Sequence, residues 1–201
     1  MYVGRLVTIG KTNGRLWAGY RVSSRTFPER YAVKLNESTV AIMPEDVKDL
    51  EKSPYISYNC IRVLPGVAVV ANGSHTDPII EKIQIGYPAR DAIALSLLAM
   101  DYEKNSLNTP RIAAVISKGE ADLGIITKEG INVTAFPLHE KECLMVATYE
   151  KTVFSRLTVE AYSAEDVAKK MYDLIFEKPV CAAGAFQENG RFQIGIYNGP
   201  Q

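Results

Sequence analysis

The sequence lacks the features that mark several large classes of protein. Lys and Arg together number 23, as do Asp and Glu, so there is no basic excess of the kind that nucleic acids or anionic membranes attract. The most apolar window, residues 92–100, is too short to span a bilayer, and the first residues lack the apolar stretch of a signal peptide. We therefore expect a cytoplasmic protein without a nucleic-acid or membrane partner.

Cysteine is scarce, and the common ligand-binding motifs are missing. Cys60, Cys143 and Cys181 are far apart and show no CxxC spacing, so neither a disulfide framework nor a zinc site is predicted. There is no P-loop, GxGxxG or HExxH pattern, and we expect neither a metal nor a cofactor. A nucleophile and base could be built from Cys60 with His75 or His139, but a lone cysteine in a strand is usually a small buried hydrophobe.

Strand patterns occur in pairs, with helices grouped between them. Asn13-Gly14 and Asn189-Gly190 supply the positive-φ residues of tight hairpins, and Ser163 can cap a helix that runs to about Glu177. Helices are also predicted over residues 45–52, 78–85 and 88–104. Because residues 92–100 are apolar on every face, we expect that helix to be covered on most sides.

Runs of strands with segregated helices predict an α+β fold. Some twelve predicted strands are too many for one open sheet, so two packed sheets are expected, with helices on their outer faces. This is a four-layer αββα sandwich. The 201 residues, of which 47% are hydrophobic, are enough for one domain spanning residues 1–201, with no linker or repeat.

The stretch from Tyr20 to Tyr31 carries the strongest functional signal. A strand pattern runs into hydroxyls and guanidinium groups, which are the donors that a phosphate needs, and a strand end can hold them still. The alternative is a solvated loop with a turn beginning at Pro28. The candidate phosphate contacts are Ser23, Ser24, Arg25 and Thr26.

A second polar cluster lies within the strand pattern at residues 58–62. Simple alternation points Tyr58, Cys60 and Arg62 to one face and Asn59 to the other, so a phenol and a guanidinium could face a ligand together. The alternative is a core tyrosine with a satisfied hydroxyl and an arginine at an edge.

Two further clusters follow at element ends. The turn after the next strand, which begins Asn72-Gly73, could bind an anion or the edge of a base, or could be an ordinary strand-to-helix turn. Glu103 ends the apolar helix, where the helix dipole and nearby apolar surface both raise a carboxyl pKa. Glu103 is therefore a candidate proton carrier, unless it is a solvated helix end.

Five segments taken in order resemble the archaeal IMP cyclohydrolase family, over essentially the whole chain. They are Met1–Arg5, Tyr20–Arg30, Tyr58–Arg62, Asn72–His75 and Asp101–Glu103. The resemblance implies a fold like that of the N-terminal-nucleophile hydrolases and closure of 5-formamidoimidazole-4-carboxamide ribotide (FAICAR) to IMP. It departs from those hydrolases because Tyr2 follows Met1 where they expose Ser, Thr or Cys. We therefore expect no N-terminal nucleophile.

Roles for the candidate residues follow from laying the chemistry over the resemblance. Arg30 would stabilise charge at the reacting carbonyl or hold phosphate, Tyr58 would donate to the oxyanion, and Glu103 would move protons at the carboxamide. Asn59, Asn72 and Gly73 would read the carboxamide and imidazole edges. The expected partners are a purine ribonucleotide, FAICAR or IMP, and further copies of the chain in a homo-oligomer. The alternatives are a nucleotide-binding regulatory module without catalysis and an amidohydrolase with an internal nucleophile.

Overall fold

The computed structural model describes residues 1–200 and contains two antiparallel β-sheets. The first sheet has the strand order β11-β10-β1-β2-β12-β13. Its strands are β1 (Arg5–Thr12), β2 (Arg15–Ser23), β10 (Cys143–Ala147), β11 (Ser155–Leu157), β12 (Pro179–Glu188) and β13 (Arg191–Tyr197). Asn13 and Gly14 have φ of 51° and 75°, and Asn189 and Gly190 have φ of 49° and 78°, so both predicted hairpin turns are confirmed.

The second sheet has seven strands in the order β3-β4-β5-β6-β7-β8-β9. They are β3 (Arg30–Asn36), β4 (Thr39–Pro44), β5 (Tyr58–Leu64), β6 (Val67–Ala71), β7 (Arg111–Ser117), β8 (Glu120–Ile126) and β9 (Ile131–Phe136). Every neighbouring pair in this sheet is antiparallel and consecutive in the chain. The sheet is therefore a meander, in which the long β6–β7 connection carries two of the helices.

Three of the four helices pack on the sheet faces that do not meet each other. The four are α1 (Asp49–Lys52), α2 (Thr76–Gln84), α3 (Ala89–Met100) and α4 (Ala164–Asp173), with a 3-10 turn at Pro54–Ile56. One apolar cluster joins the two sheets, a second joins α4 to the first sheet, and a third joins α2 and α3 to the second sheet. This arrangement is compatible with the predicted α+β sandwich. No helix within residues 1–200 is long and apolar enough to span a membrane.

Two helix predictions need correction. The acidic helix predicted at residues 45–52 is only the single turn α1. The prediction that the apolar helix would be covered on most sides is wrong for the single chain, because only one face of α3 packs on the sheet and Leu98 is 60% exposed. The Ser163 cap is confirmed, since its Oγ accepts from the Asp166 amide at 3.0 Å.

A bulge in β5 changes which side chains face the sheet interface. Ala41 pairs with Asn59 and Val40 pairs with Ile61, so Cys60 has no partner on β4. Cys60 and Ile61 are consequently both buried between the sheets. Simple alternation is therefore wrong beyond Cys60.

The bulge places Arg62 on the same side as Asn59. Both donate to Asp77 at the start of α2, Arg62 through Nη1 and Asn59 through Nδ2, each at 3.0 Å. The two side chains thus face the helix that covers the outer face of this sheet. The prediction that Tyr58 and Arg62 share a face is wrong.

Candidate active site

A cavity of about 340 Å³ opens where the ends of the two sheets meet. Arg5, the first residue of β1, lines it from one sheet, and Arg30, the first residue of β3, lines it from the other. Glu103 adds a carboxylate from the segment that follows α3. Two cations and an anion therefore converge on one small space.

Arg5 and Glu103 form a buried ion pair at this cavity. Arg5 Nη2 donates to both carboxylate oxygens, at 3.0 Å to Oε1 and 2.9 Å to Oε2, and Glu103 is 1% exposed. Burial raises the pKa of Glu103, and the Arg5 guanidinium opposes that rise. Glu103 is therefore a buried carboxyl group, not a solvated helix end. It lies three residues beyond the end of α3, so the predicted helix to residue 104 is too long, and burial is the cause that raises its pKa.

Local structure after α3 fixes the position of this carboxylate. Asp101 has φ of 55° and breaks the helix, after which Glu103 forms an isolated bridge with Thr109. Asn105 Nδ2 donates to Glu103 Oε2 at 3.2 Å and to Thr109 Oγ1 at 2.9 Å. Tyr149, which follows β10, bonds the same threonine hydroxyl at 2.6 Å. The loop is thus tied to the first sheet.

Arg30 is a buried cation without a carboxylate partner. It is 5% exposed, and its Nε donates to the Phe27 carbonyl at 2.9 Å. No acidic side chain between residues 1 and 200 lies within ion-pair distance of it. Burying an unpaired charge is costly. The free end of this guanidinium is accordingly suited to an anionic group of a ligand.

Tyr58 is buried near the cavity-lining Arg30 and Arg5, and its hydroxyl is paired with that of another tyrosine. Its hydroxyl is 2.6 Å from that of Tyr20 on β2, so the contact bridges the two sheets. Burial raises the pKa of Tyr58, although the nearby Arg30 and Arg5 charges oppose the rise. Both phenols are therefore neutral at pH 7 and able to donate a hydrogen bond.

The four predicted phosphate contacts separate into two pairs. Ser24 and Thr26 line the cavity. Ser23 Oγ instead accepts from Arg21 Nε at 3.1 Å, and Arg25 pairs with Glu177 at 2.8 Å on the surface. The structure therefore brings Ser24 and Thr26 to the same space as Arg30 and leaves the other two outside it.

The predicted base-reading residues lie outside the cavity lining. Asn59 bonds Asp77, and Asn72 is fully buried between the Pro110 carbonyl and the Ile112 amide. A Cβ on Gly73 would lie 2.6 Å from Nη1 of Arg111. Gly73 thus leaves room for the Arg111 guanidinium, whose charge opposes the rise in the pKa of Glu103.

The rejected nucleophile–base pair is chemically inert in this fold. Burial raises the pKa of the Cys60 thiol well above its usual value. Burial and the Arg111 charge lower the pKa of His75 to about 3, so its imidazole is neutral. Over the described residues 1–200, no three His, Cys, Asp or Glu side chains gather as a metal site would require.

Four residues at the site, Arg5, Asn105, Thr109 and Tyr149, were not predicted from the sequence. Arg5 belonged to the first of the five resemblance segments, which was a usable signal. Asn105 and Thr109 belong to the loop of Glu103 itself, whereas Tyr149 reaches it only through folding, since it is 40 positions from the threonine it bonds.

Comparison with known proteins shows the family of the chain. A family model described as "IMP cyclohydrolase-like protein" matches residues 2–191. The chain belongs to this family. The segment matched by the IMP cyclohydrolase-like model includes every cavity residue named above.

Individual members of the IMP cyclohydrolase-like family are similar over their full length. A protein from Methanocella arvoryzae named IMP cyclohydrolase is 77% identical over 201 residues, covering 100% of both chains. One of the same name from Methanothrix thermoacetophila is 46% identical, over 98% of this chain and 99% of its own. Another from Haloarcula marismortui is 41% identical, over 99% and 100%.

Proposed function

We propose that this protein is an IMP cyclohydrolase that closes FAICAR to IMP with loss of water in purine biosynthesis. The observation that carries the proposal is the cavity in which the buried Glu103–Arg5 pair faces the unpaired Arg30 guanidinium. The family membership and the names of its relatives support it.

The reaction joins two groups of one molecule. The carboxamide nitrogen attacks the formyl carbon, a C–N bond forms, and the formyl oxygen becomes a hydroxyl. That hydroxyl leaves as water, taking one proton that came from the carboxamide nitrogen and one from the formamido nitrogen. Holding the two groups in contact supplies much of the acceleration, because well-oriented intramolecular reactions reach effective molarities of roughly 10⁵ M or more.

Three side chains are suited to the proton transfers and to stabilising the oxyanion that the reaction requires. Glu103 takes the carboxamide proton, a task helped by the raised pKa of a buried carboxylate. Arg30 stabilises the oxyanion on the formyl oxygen, and Glu103 passes the carboxamide proton on to that oxygen. Tyr58, neutral at pH 7, gives a proton to the departing hydroxyl and regains one from the formamido nitrogen. Arg5 acts through Glu103 as a positioning residue.

The phosphate of the substrate is assigned to the end of β2. Ser24 and Thr26 line the cavity there and present hydroxyl groups. Arg30 is the alternative phosphate ligand, because it is a buried cation that lines the same cavity and has no acidic partner. Ser23, Arg25, Asn59, Asn72 and Gly73 keep supporting roles in this proposal, outside direct contact with the substrate.

The wider description of the protein is also proposed. The order of sheets and helices supports a four-layer αββα sandwich like that of the N-terminal-nucleophile hydrolases, in one domain. Leu95 and Leu98 on α3 are exposed apolar side chains, which supports a homo-oligomer. A purine-biosynthetic enzyme of this kind is assigned to the cytoplasm, acting on a purine ribonucleotide.

A direct assay tests the function. EDTA-treated protein is mixed with FAICAR, and IMP formation is followed by ultraviolet absorbance against the uncatalysed rate. We expect rapid closure, and we expect Glu103→Gln to lower turnover by about 10²–10⁴-fold with little change in KM. Glu188→Gln, a change at the end of β12 away from the cavity, is the matched control. No acceleration by the unmodified protein would overturn the proposal.

A further inference from the structure

A second cavity, of about 530 Å³, lies apart from the candidate active site. It is formed by the loop between α2 and α3, the first turn of α3, the turn between β7 and β8, and β8 itself. No residue that lines the candidate active site also lines this cavity. Its volume is within the range of small-molecule sites.

Asp122 on β8 lines this cavity as a buried carboxylate without a partner. It is 5% exposed, and no donor within residues 1–200 is hydrogen-bonded to its oxygens. Its cross-strand neighbour Val115 belongs to the apolar cluster beneath α2 and α3. Buried carboxylates are almost always paired, and the Asp122 oxygens are reachable from the cavity, where a ligand group can pair with them.

The two cations that line the cavity, Arg90 and Lys118, make no hydrogen bond or ion pair with Asp122. Arg90, in the first turn of α3, is held by Asp91, with Nε–Oδ1 at 2.9 Å. Glu120 also lines the cavity and makes no ion pair or hydrogen bond through its side chain within the described chain. Because it lies two residues before Asp122 on the same strand face, the Cα atoms of the two residues are about 6.6 Å apart along the strand.

We propose that this cavity binds a small organic cation, whose ammonium N–H groups donate to Asp122 while Glu120 and the Tyr87 ring hold the rest of the molecule. The half-exposed Tyr87 lines the cavity, and a cation above a tyrosine ring gains further stabilisation. A bare metal ion fits poorly, since calcium takes six to eight oxygen ligands and two separated carboxylates supply few.

The spacing of the carboxylates selects a ligand with two ammonium groups. Two such groups separated by three or four methylene units would reach both Asp122 and Glu120. A compound with one ammonium group would satisfy Asp122 alone and would bind more weakly. Tetramethylammonium carries the same positive charge but has no N–H donor, so it would not replace either compound.

Calorimetric titration of the whole protein with 1,4-diaminobutane at pH 8 tests this proposal. We expect saturable binding that Asp122→Asn weakens at least about tenfold, the value of a hydrogen bond to a charged group. Glu129→Gln, which neutralises an exposed carboxylate on the turn after β8, is the matched control and should leave binding unchanged. Circular dichroism of both variants establishes that they are folded.

The pH dependence gives a second readout. The charged and titratable groups that surround Asp122 are Glu120, Asp91, Arg90, Lys118 and Tyr87. Burial raises the pKa of Asp122 to about 6, so binding by the unmodified protein should weaken between pH 8 and pH 5. In Asp122→Asn, binding of the diamine should lose the part of this pH dependence that comes from protonation of Asp122.

Several results would overturn the proposal. They are the absence of saturable binding, equal binding by Asp122→Asn, and equal binding of tetramethylammonium. Glu103→Gln is expected to bind the diamine normally. The outcome is therefore separate from the proposed cyclohydrolase activity, and a failure of one leaves the other standing.

Discussion

Replacing Arg5 by methionine would leave Glu103 buried without its cation. Both carboxylate oxygens accept from Arg5, and the other donor is Asn105 at 3.2 Å. Removing one partner of a buried ion pair costs about 3–5 kcal/mol. Since each kcal/mol shifts the melting temperature of a domain of this size by about 2–4 °C, we expect Tm to fall by about 6–20 °C.

The loss should depend on pH in a defined direction. Burial already raises the pKa of Glu103 above its unfolded value, and removing Arg5 removes a charge that opposes the rise. A carboxyl group whose folded pKa is raised favours the folded state below its unfolded pKa, and that contribution is lost as pH rises through the folded pKa. The difference in Tm between Arg5→Met and the unmodified protein should therefore be larger at pH 8 than at pH 5.

Thermal unfolding followed by circular dichroism from pH 5 to pH 8 measures this effect. The double variant Arg5→Met with Glu103→Gln should regain at least half of the lost stability, because glutamine is neutral. Arg25→Met is the control, since its exposed pair with Glu177 should contribute less than about 1 kcal/mol. A Tm for Arg5→Met within about 2 °C of the unmodified protein would refute this reasoning. So would a double variant no more stable than Arg5→Met alone.

Two other substitutions give sharp tests. Tyr58→Phe should lower turnover at least about tenfold, because it removes the proposed donor to the departing hydroxyl; turnover within a few-fold of the unmodified enzyme would exclude a proton-transfer role. Ser163→Ala removes the cap on the Asp166 amide and should cost about 1 kcal/mol, seen as a Tm lower by about 2–4 °C. An unchanged Tm would mean that water replaces the serine oxygen at no cost.

The features that the sequence predicts best are those that depend only on residues close together in the chain. The Asn13-Gly14 turn and the Ser163 cap depend on residues within a few positions, and both are confirmed. Glu103 could be singled out because its place at a helix end is visible locally. Its partner Arg5 lies 98 positions away, and no local pattern connects the two.

The errors arise where the tertiary structure overrides a local rule. The predicted alternation of side chains between the two faces of β5 is wrong because Cys60 is an extra residue without a partner on β4. The residue types of β5 do not indicate this bulge. Asn72 has the amide expected of a base-reading residue, but the Pro110 and Ile112 backbone uses that amide fully. The face of α3 that carries Leu98 was predicted to be covered, and a single chain does not supply the cover.

The Tyr20–Tyr58 bridge and the Arg5–Glu103 pair each join the first sheet to the second sheet or to the loop beside it. Neither contact can exist while the two sheets are apart, however well each has formed its own hydrogen bonds. Recovery of activity after dilution from denaturant should therefore report the moment when the halves of the molecule close on each other. A signal that reports only strand formation should be recovered before the activity is.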